Sequence, residues 1–125
     1  MFWNLNRKPL EEQVAALCHE HEVDILILAE SSGISEKKLL LVLNKGKASK
    51  FKSHVSQTKG RMFYAKFPPG HLKIYEVKDI TFMELTPPDS LDILIAVVHM
   101  RSKLHFQDID QASLCPRYAK WIRQE

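Results

Sequence analysis

The segment Asp24-Ile-Leu-Ile-Leu-Ala29 constrains this chain more than any other. It is apolar on both faces and only five to six residues long, which suits a strand of a parallel sheet, covered on both sides, better than a helix. Upstream, Leu10, Val14, Leu17, Cys18 and His21 recur at helical spacing, with Pro9 just ahead, where a first helical turn tolerates proline. Before them Met1 to Leu5 is short and apolar. Strand, helix and strand in this order predict a βαβ unit. Its crossover is right-handed, and its two strands lie side by side in parallel with their carboxyl ends at one edge of the sheet. Asn4 and Glu30 fall at those two ends.

Ser35 predicts the N-cap of a second helix, although Lys38 stands where a full capping box would have Glu or Gln. Leu39, Leu40, Val42 and Leu43 give that helix an apolar face, and Asn44 and Gly46 end it. From Phe51 to Thr86 the pattern changes to short strands divided by Thr58-Lys-Gly60, Pro68-Pro-Gly70 and Pro87-Pro-Asp-Ser90. Partial alternation over Met62–Phe67 and Leu72–Val77 predicts antiparallel pairing here. Leu91–His99 predicts a second buried strand, and Leu114, Tyr118, Trp121 and Ile122 a helix within Gln111–Glu125, its start limited by Pro116. Trp3 and Trp121 are expected as core anchors. No repeat, low-complexity stretch or linker divides the 125 residues, so they predict one domain or one piece of one.

With 45% hydrophobic residues and a net charge of +3, the composition is that of a soluble globular domain and does not by itself declare a nucleic-acid partner. The longest apolar run, Ile93–Val98, is far short of the ~20 residues a membrane-spanning helix needs. Phe2-Trp3-Asn4 directly after Met1 does not read as a secretory leader. Cys18 and Cys115 stand far apart without CxxC spacing, so a reducing, cytoplasmic setting is expected. Both cysteines read as structural, since no basic neighbour marks either as a thiolate nucleophile. His19 and His21 do not form a zinc pair, because residues i and i+2 point about 200° apart on a helix.

The chemistry-bearing residues gather at strand ends. Phe2-Trp3-Asn4-Leu5-Asn6 closes the first strand and Glu30 the second. The crevice beyond the carboxyl ends of the strands is where open α/β sheets bind ligands, and a single Glu there can hold Mg²⁺, which keeps waters and takes substrate phosphate oxygens. The plainer alternative is that Glu30 merely ends its strand while Asn4 and Asn6 satisfy turn backbone. His99 follows the third apolar strand, with Arg101, Ser102 and Lys103 beside it. An imidazole so placed can donate a hydrogen bond to a phosphate oxygen, and the neighbours add charge and donors.

In combination, Trp3-Asn4-Leu5-Asn6, Asp24-Ile-Leu-Ile-Leu-Ala-Glu30 and Val97-Val98-His99-Met100-Arg101-Ser102-Lys103-Leu104 resemble the endonuclease/exonuclease/phosphatase family, the deoxyribonuclease-like metal-dependent phosphoesterases. The resemblance implies an α+β fold, the amino-terminal half of a four-layer αββα sandwich with mixed sheets flanked by helices. It implies hydrolysis of a phosphodiester or phosphomonoester with Mg²⁺ or Mn²⁺. By position, Asn4 matches the family asparagine near metal and phosphate, and Asn6 the residue supporting the metal shell. Glu30 matches the metal-ligating glutamate, and His99 the histidine that approaches the scissile phosphate. The family's Gly-Asp-x-Asn and Ser-Asp-His motifs are absent from residues 1–125. The expectation is therefore an amino-terminal part of such a domain, inactive alone, and prone to self-association or to pairing with a complementary half.

A second reading comes from charge. Residues Lys45–Lys78 hold nine Lys and Arg against one acid, Glu76, a net of +8. Interleaved Phe51, Phe63, Tyr64, Phe67 and Tyr75 either stack on bases or face the core while the lysines face solvent. The segment would direct an enzyme to a polyanionic substrate, with Lys50 and Lys52 as contacts, or would serve a non-catalytic module that binds nucleic acid or another polyanion.

Overall fold

The computed structural model describes residues 1–54, 60–77, 80–89 and 91–98. In chain order the elements are β1 (Phe2–Asn4), α1 (Glu11–Glu20), β2 (Ile25–Ala29), α2 (Glu36–Asn44), β3 (Lys52–His54) and β4 (Arg61–Ala65). A 3₁₀ turn (Pro69–His71), β5 (Leu72–Val77), β6 (Ile80–Leu85) and β7 (Ile93–Val98) follow. The fold is α+β. One sheet is mixed, in the order β1-β2-β4-β3, and the other is antiparallel, in the order β5-β6-β7.

The opening βαβ unit is present: β1 and β2 run parallel, with Phe2 opposite Ile27, Trp3 opposite Leu28 and Asn4 opposite Ala29. β4 joins β2 antiparallel and β3 joins β4, so the mixed sheet gains its other strands from the segment read as antiparallel. The two apolar faces of β2 have separate partners, because successive side chains point to opposite sides. Leu26 and Leu28 pack with Tyr64, with Val14, Ala15 and Cys18 of α1, and with Leu39 and Leu43 of α2. Ile27 points the other way, and together with Phe63 and Ala65 it meets Leu72, Met83, Leu85 and Val97 of the second sheet. The result is a helix layer, a mixed sheet buried on both faces, and an antiparallel sheet. Burial pushes the Cys18 thiol up to about 11, so it is a small core side chain rather than a nucleophile.

The helix layer is held by polar contacts that cross between helices. Ser35 caps α2, its Oγ accepting from the Lys38 N–H at 3.4 Å, and Gly46 follows the helix with φ +66°. The buried carboxylate of Glu11, in the first turn of α1, accepts from the Ser35 N–H at 3.1 Å, with the Lys38 ammonium 4.0 Å from its other oxygen. At the far end of the helix pair the His19 Nε2 is 2.8 Å from the Leu43 carbonyl oxygen. The Ser35 N–H bond, assisted by Lys38, holds the Glu11 carboxyl below its ordinary 4.5 against the opposing effect of burial. A carboxylate lowered in the folded state contributes stability above its unfolded value, and that contribution is lost as pH falls through the folded value. Glu11→Gln is therefore expected to lower stability by about 1–2 kcal/mol near neutral pH, where it replaces a charge-assisted hydrogen bond. Urea midpoints of the two proteins should converge in acid below 4.5, and a pH-independent gap would refute the assignment.

One expectation is corrected. Leu91–His99 reads as a buried strand, yet β7 is an edge strand among the described residues, paired only with β6. Leu91 is 86% exposed and Leu94 is 45% exposed, while Val97 is buried. A continuous apolar run has two faces, and among the described residues Ile95 and Val97, on the face toward the mixed sheet, pack into a core while Ile93 and Leu94 stay exposed. His99 itself and the helix expected within Gln111–Glu125 lie outside the described residues. Among the described residues no helix is long and apolar enough to cross a membrane.

Candidate functional site

Parallel pairing brings the ends of β1 and β2 together. Asn4, the last residue of β1, lies opposite Ala29, and Glu30 follows at once. The chain leaves both strands through left-handed backbone: φ is +48° at Asn6, +61° at Arg7 and +48° at Glu30. Side-chain residues in this region cost about 1 kcal/mol or more each and persist where surrounding structure fixes them. The fixing contacts are visible. Asn4 Oδ1 accepts from the Asn6 N–H at 2.9 Å, an Asx turn, and the Glu30 carbonyl accepts from the Arg7 N–H at 2.8 Å. Ser31 is buried beside them, its Oγ donating to the Gly60 carbonyl at 3.0 Å.

The second sheet reaches the same edge through Arg61. In register Arg61 faces Ala29, whose other neighbour is Asn4, so Asn4, Ala29 and Arg61 form one row on the face turned to the second sheet. From that row the Arg61 Nη1 donates to the Thr81 Oγ1 at 2.9 Å. Thr81 is fully buried, and its hydroxyl is also 3.5 Å from Glu76 Oε1. Thr81 lies opposite Val97 in the register of β6 and β7. One guanidinium therefore joins the start of β4, beside the carboxyl end of β2, to the start of β6, beside the carboxyl end of β7. The three strands whose ends carry Asn4, Glu30 and the approach to His99 finish at one end of the sandwich.

Asn4 and Asn6 are exposed and Glu30 is half-buried, so this edge is open to a ligand. His99, Arg101, Ser102 and Lys103 lie outside the described residues. Lys50 and Lys52 are exposed but do not join the Asn4–Glu30 edge. Lys52 pairs with Ala65, which faces Ile25 at the opposite end of β2. Four residues of strand and three strand spacings separate Lys52 from Asn4, about 13 Å along the sheet and about 14 Å across it. The stacking role considered for the aromatic residues is corrected for Phe51, Phe63 and Tyr64, which are buried in the two cores. β4 is covered on both faces, so its adjacent Phe63 and Tyr64 rings enter opposite cores, while Phe51 is buried just ahead of β3.

The donors at the edge suit a hard, hydrated cation in kind, being a carboxylate and an amide oxygen. In number they supply only part of a site. Among the described residues no group of three or more His, Cys, Asp or Glu side chains is gathered to hold a metal. Mg²⁺ is commonly bound through one or two carboxylates, with waters and substrate phosphates filling the remaining positions, so Glu30 with Asn4 fits as one portion of such a shell.

Arg61, Thr81, Glu76 and Ser31 had no signal in the linear sequence. Their relevance depends on β4 lying beside β2 and on which residue faces Ala29, a long-range register. Comparison with family models, with curated proteins and with solved structures returned no match.

Proposed function

We propose that this chain carries the amino-terminal part of a divalent-metal-dependent phosphoesterase, of the endonuclease/exonuclease/phosphatase type, acting on a phosphodiester or phosphomonoester. The observation that supports this reading most is the convergence of the β1, β2 and β7 carboxyl ends through the Arg61–Thr81 bond. Glu30 would hold Mg²⁺ or Mn²⁺, with Asn4 ordering the metal's waters and the phosphate. When bound, the metal polarises the phosphoryl oxygens. Asn6 fixes Asn4 by donating its N–H to the Asn4 amide oxygen. His99, one residue beyond β7, would donate to a phosphate oxygen as charge develops there. These residues bind and orient, and none of them is assigned to take the proton from water, so residues 1–125 alone are expected to turn over little substrate.

Binding tests the reading without turnover. Added to the ¹⁵N-labelled full chain, Mn²⁺ is expected to broaden the backbone amide resonances of Asn4–Arg7 and Glu30–Ser31 selectively. Glu30→Gln removes the charged ligand and should abolish that broadening while leaving the remaining spectrum unchanged. Broadening that is absent, or that survives in Glu30→Gln, would overturn the metal assignment.

A further inference from the structure

The lysine-rich turn between α2 and β3 is a second feature, and it stands independently of the metal reading because it lies at the other end of the sheet. Residues 45–52 contain Lys45, Lys47, Lys50 and Lys52 and no acid, and all four lysines are exposed. None of the four has an ion-pair partner among the described residues.

This turn is pinned rather than loose. Both ends of the Asn44 side-chain amide engage Phe51: Nδ2 donates to the Phe51 carbonyl at 2.9 Å, and Oδ1 accepts from the Phe51 N–H at 2.7 Å. The Phe51 ring is buried in the helix-side core, with the Lys66 ammonium 5.0 Å from its centroid and Asp24 3.3 Å from Lys66. Lys66 is thus occupied as part of the clamp, while Lys45, Lys47 and Lys50 lie exposed on the closed loop and Lys52 follows it as the exposed first residue of β3. Their charges are gathered before any ligand arrives, which lowers the ordering cost of binding.

We infer that this turn is an interaction surface for the phosphate backbone of duplex nucleic acid, without sequence preference. Three observations select that partner. The charges are lysines, point charges suited to phosphate rather than to bidentate reading of bases. The one aromatic residue within 45–52, Phe51, is buried, so the turn has no platform for the unstacked bases of a single strand. It also has no exposed large apolar side chain to enter a lipid surface; Leu41, exposed on the preceding helix, stands singly, as many surface leucines do. What remains is phosphate neutralisation, which is greatest where phosphate density is greatest, on a duplex.

The test is fluorescence anisotropy of the full chain with a labelled mixed-sequence DNA duplex, its single strand at equal phosphate concentration, and phosphatidylserine vesicles as the lipid probe. EDTA throughout removes any contribution of a metal at Glu30, so failure here and failure of the phosphoesterase reading are separate results. The duplex is expected to bind more tightly than the single strand, with log affinity falling against log salt at a slope between about −3 and −4 for four lysine contacts. Joint replacement of Lys45, Lys47 and Lys50 by alanine should flatten that slope to about −1 and weaken binding at low salt by at least about tenfold. Joint replacement by arginine should retain both. An unaltered slope in the alanine variant, a single strand bound as tightly as the duplex, or binding to vesicles alone would each overturn the assignment.

Discussion

Replacing Phe63 by alanine is expected to cost about 3–5 kcal/mol, a large share of the ~5–15 kcal/mol that typically holds a domain together. Phe63 has no exposed surface, and it sits in the middle of β4, on the face where the mixed sheet meets the antiparallel one. Its neighbours across that seam are Leu72, Met83, Leu85 and Val97, residues on three different strands. Strands anchored by sheet hydrogen bonds cannot all collapse into the space a lost ring leaves, so the cavity penalty adds to the transfer penalty. Leu94→Ala is the matched control, because Leu94 is 45% exposed and lies on the opposite face of the second sheet. That change should stay within about 1 kcal/mol. Urea denaturation followed by far-ultraviolet circular dichroism reads both, and equal losses would mean that the seam between the sheets is not the principal core.

The same seam shows what was legible in the sequence and what was not. β2 reads directly, because a run that is apolar on both faces has few homes other than the interior of a layered sheet, and here helices cover one face and a second sheet the other. The parallel partnership of β1 and β2 follows from the intervening helix. The second helix reads well because Ser35 and Gly46 mark its ends with local chemistry. β7 misleads for the converse reason: its apolar run matches that of β2, but its position at an edge among the described residues is set by which strands pair, and pairing is long-range. The sequence pattern measures hydrophobicity, whereas burial depends on neighbours.

The candidate site divides along the same line. Asn4 and Glu30 are placed by one local unit, so their adjacency was readable. Arg61 is more than thirty positions from either strand end and enters only because β4 returns beside β2 with Arg61 opposite Ala29. Lys50 and Lys52 illustrate the opposite error. Their charge invites assignment to the same strand-end edge, yet β3 puts them at the far end of the sheet, because it pairs with the carboxyl end of β4 rather than with its start. Charge in a linear sequence has sign but no direction, and only the register supplies one.

Gly33→Ala carries the sharpest expectation at this edge. Gly33 lies in the β2–α2 connection, and a β-carbon there would stand 2.0 Å from the Arg7 carbonyl oxygen and 2.7 Å from its carbon. Those atoms are backbone, so no side-chain rotation relieves the overlap, and the loop from Leu5 to Leu10 must move. That loop has little room to do so. It is bound to the second strand end by the Arg7 N–H to Glu30 bond and already runs left-handed at Asn6 and Arg7. The expected loss is about 3 kcal/mol, the upper range for overpacking, because the obstructing atoms are the least compliant in the neighbourhood. Gly70→Ala, where an added carbon meets nothing within 4 Å, should be close to neutral and controls for the substitution itself. The functional consequence is separable from the loss of stability. Where Gly33→Ala remains folded at low temperature, the Asn4–Asn6 turn and Glu30 can no longer keep their spacing, and the selective Mn²⁺ broadening of Asn4–Arg7 should disappear even though Glu30 is unchanged. Broadening that survived at full strength would show that the close approach of the two connections serves packing alone, and that the geometry of the proposed metal site is set by the strand ends without help from the loops.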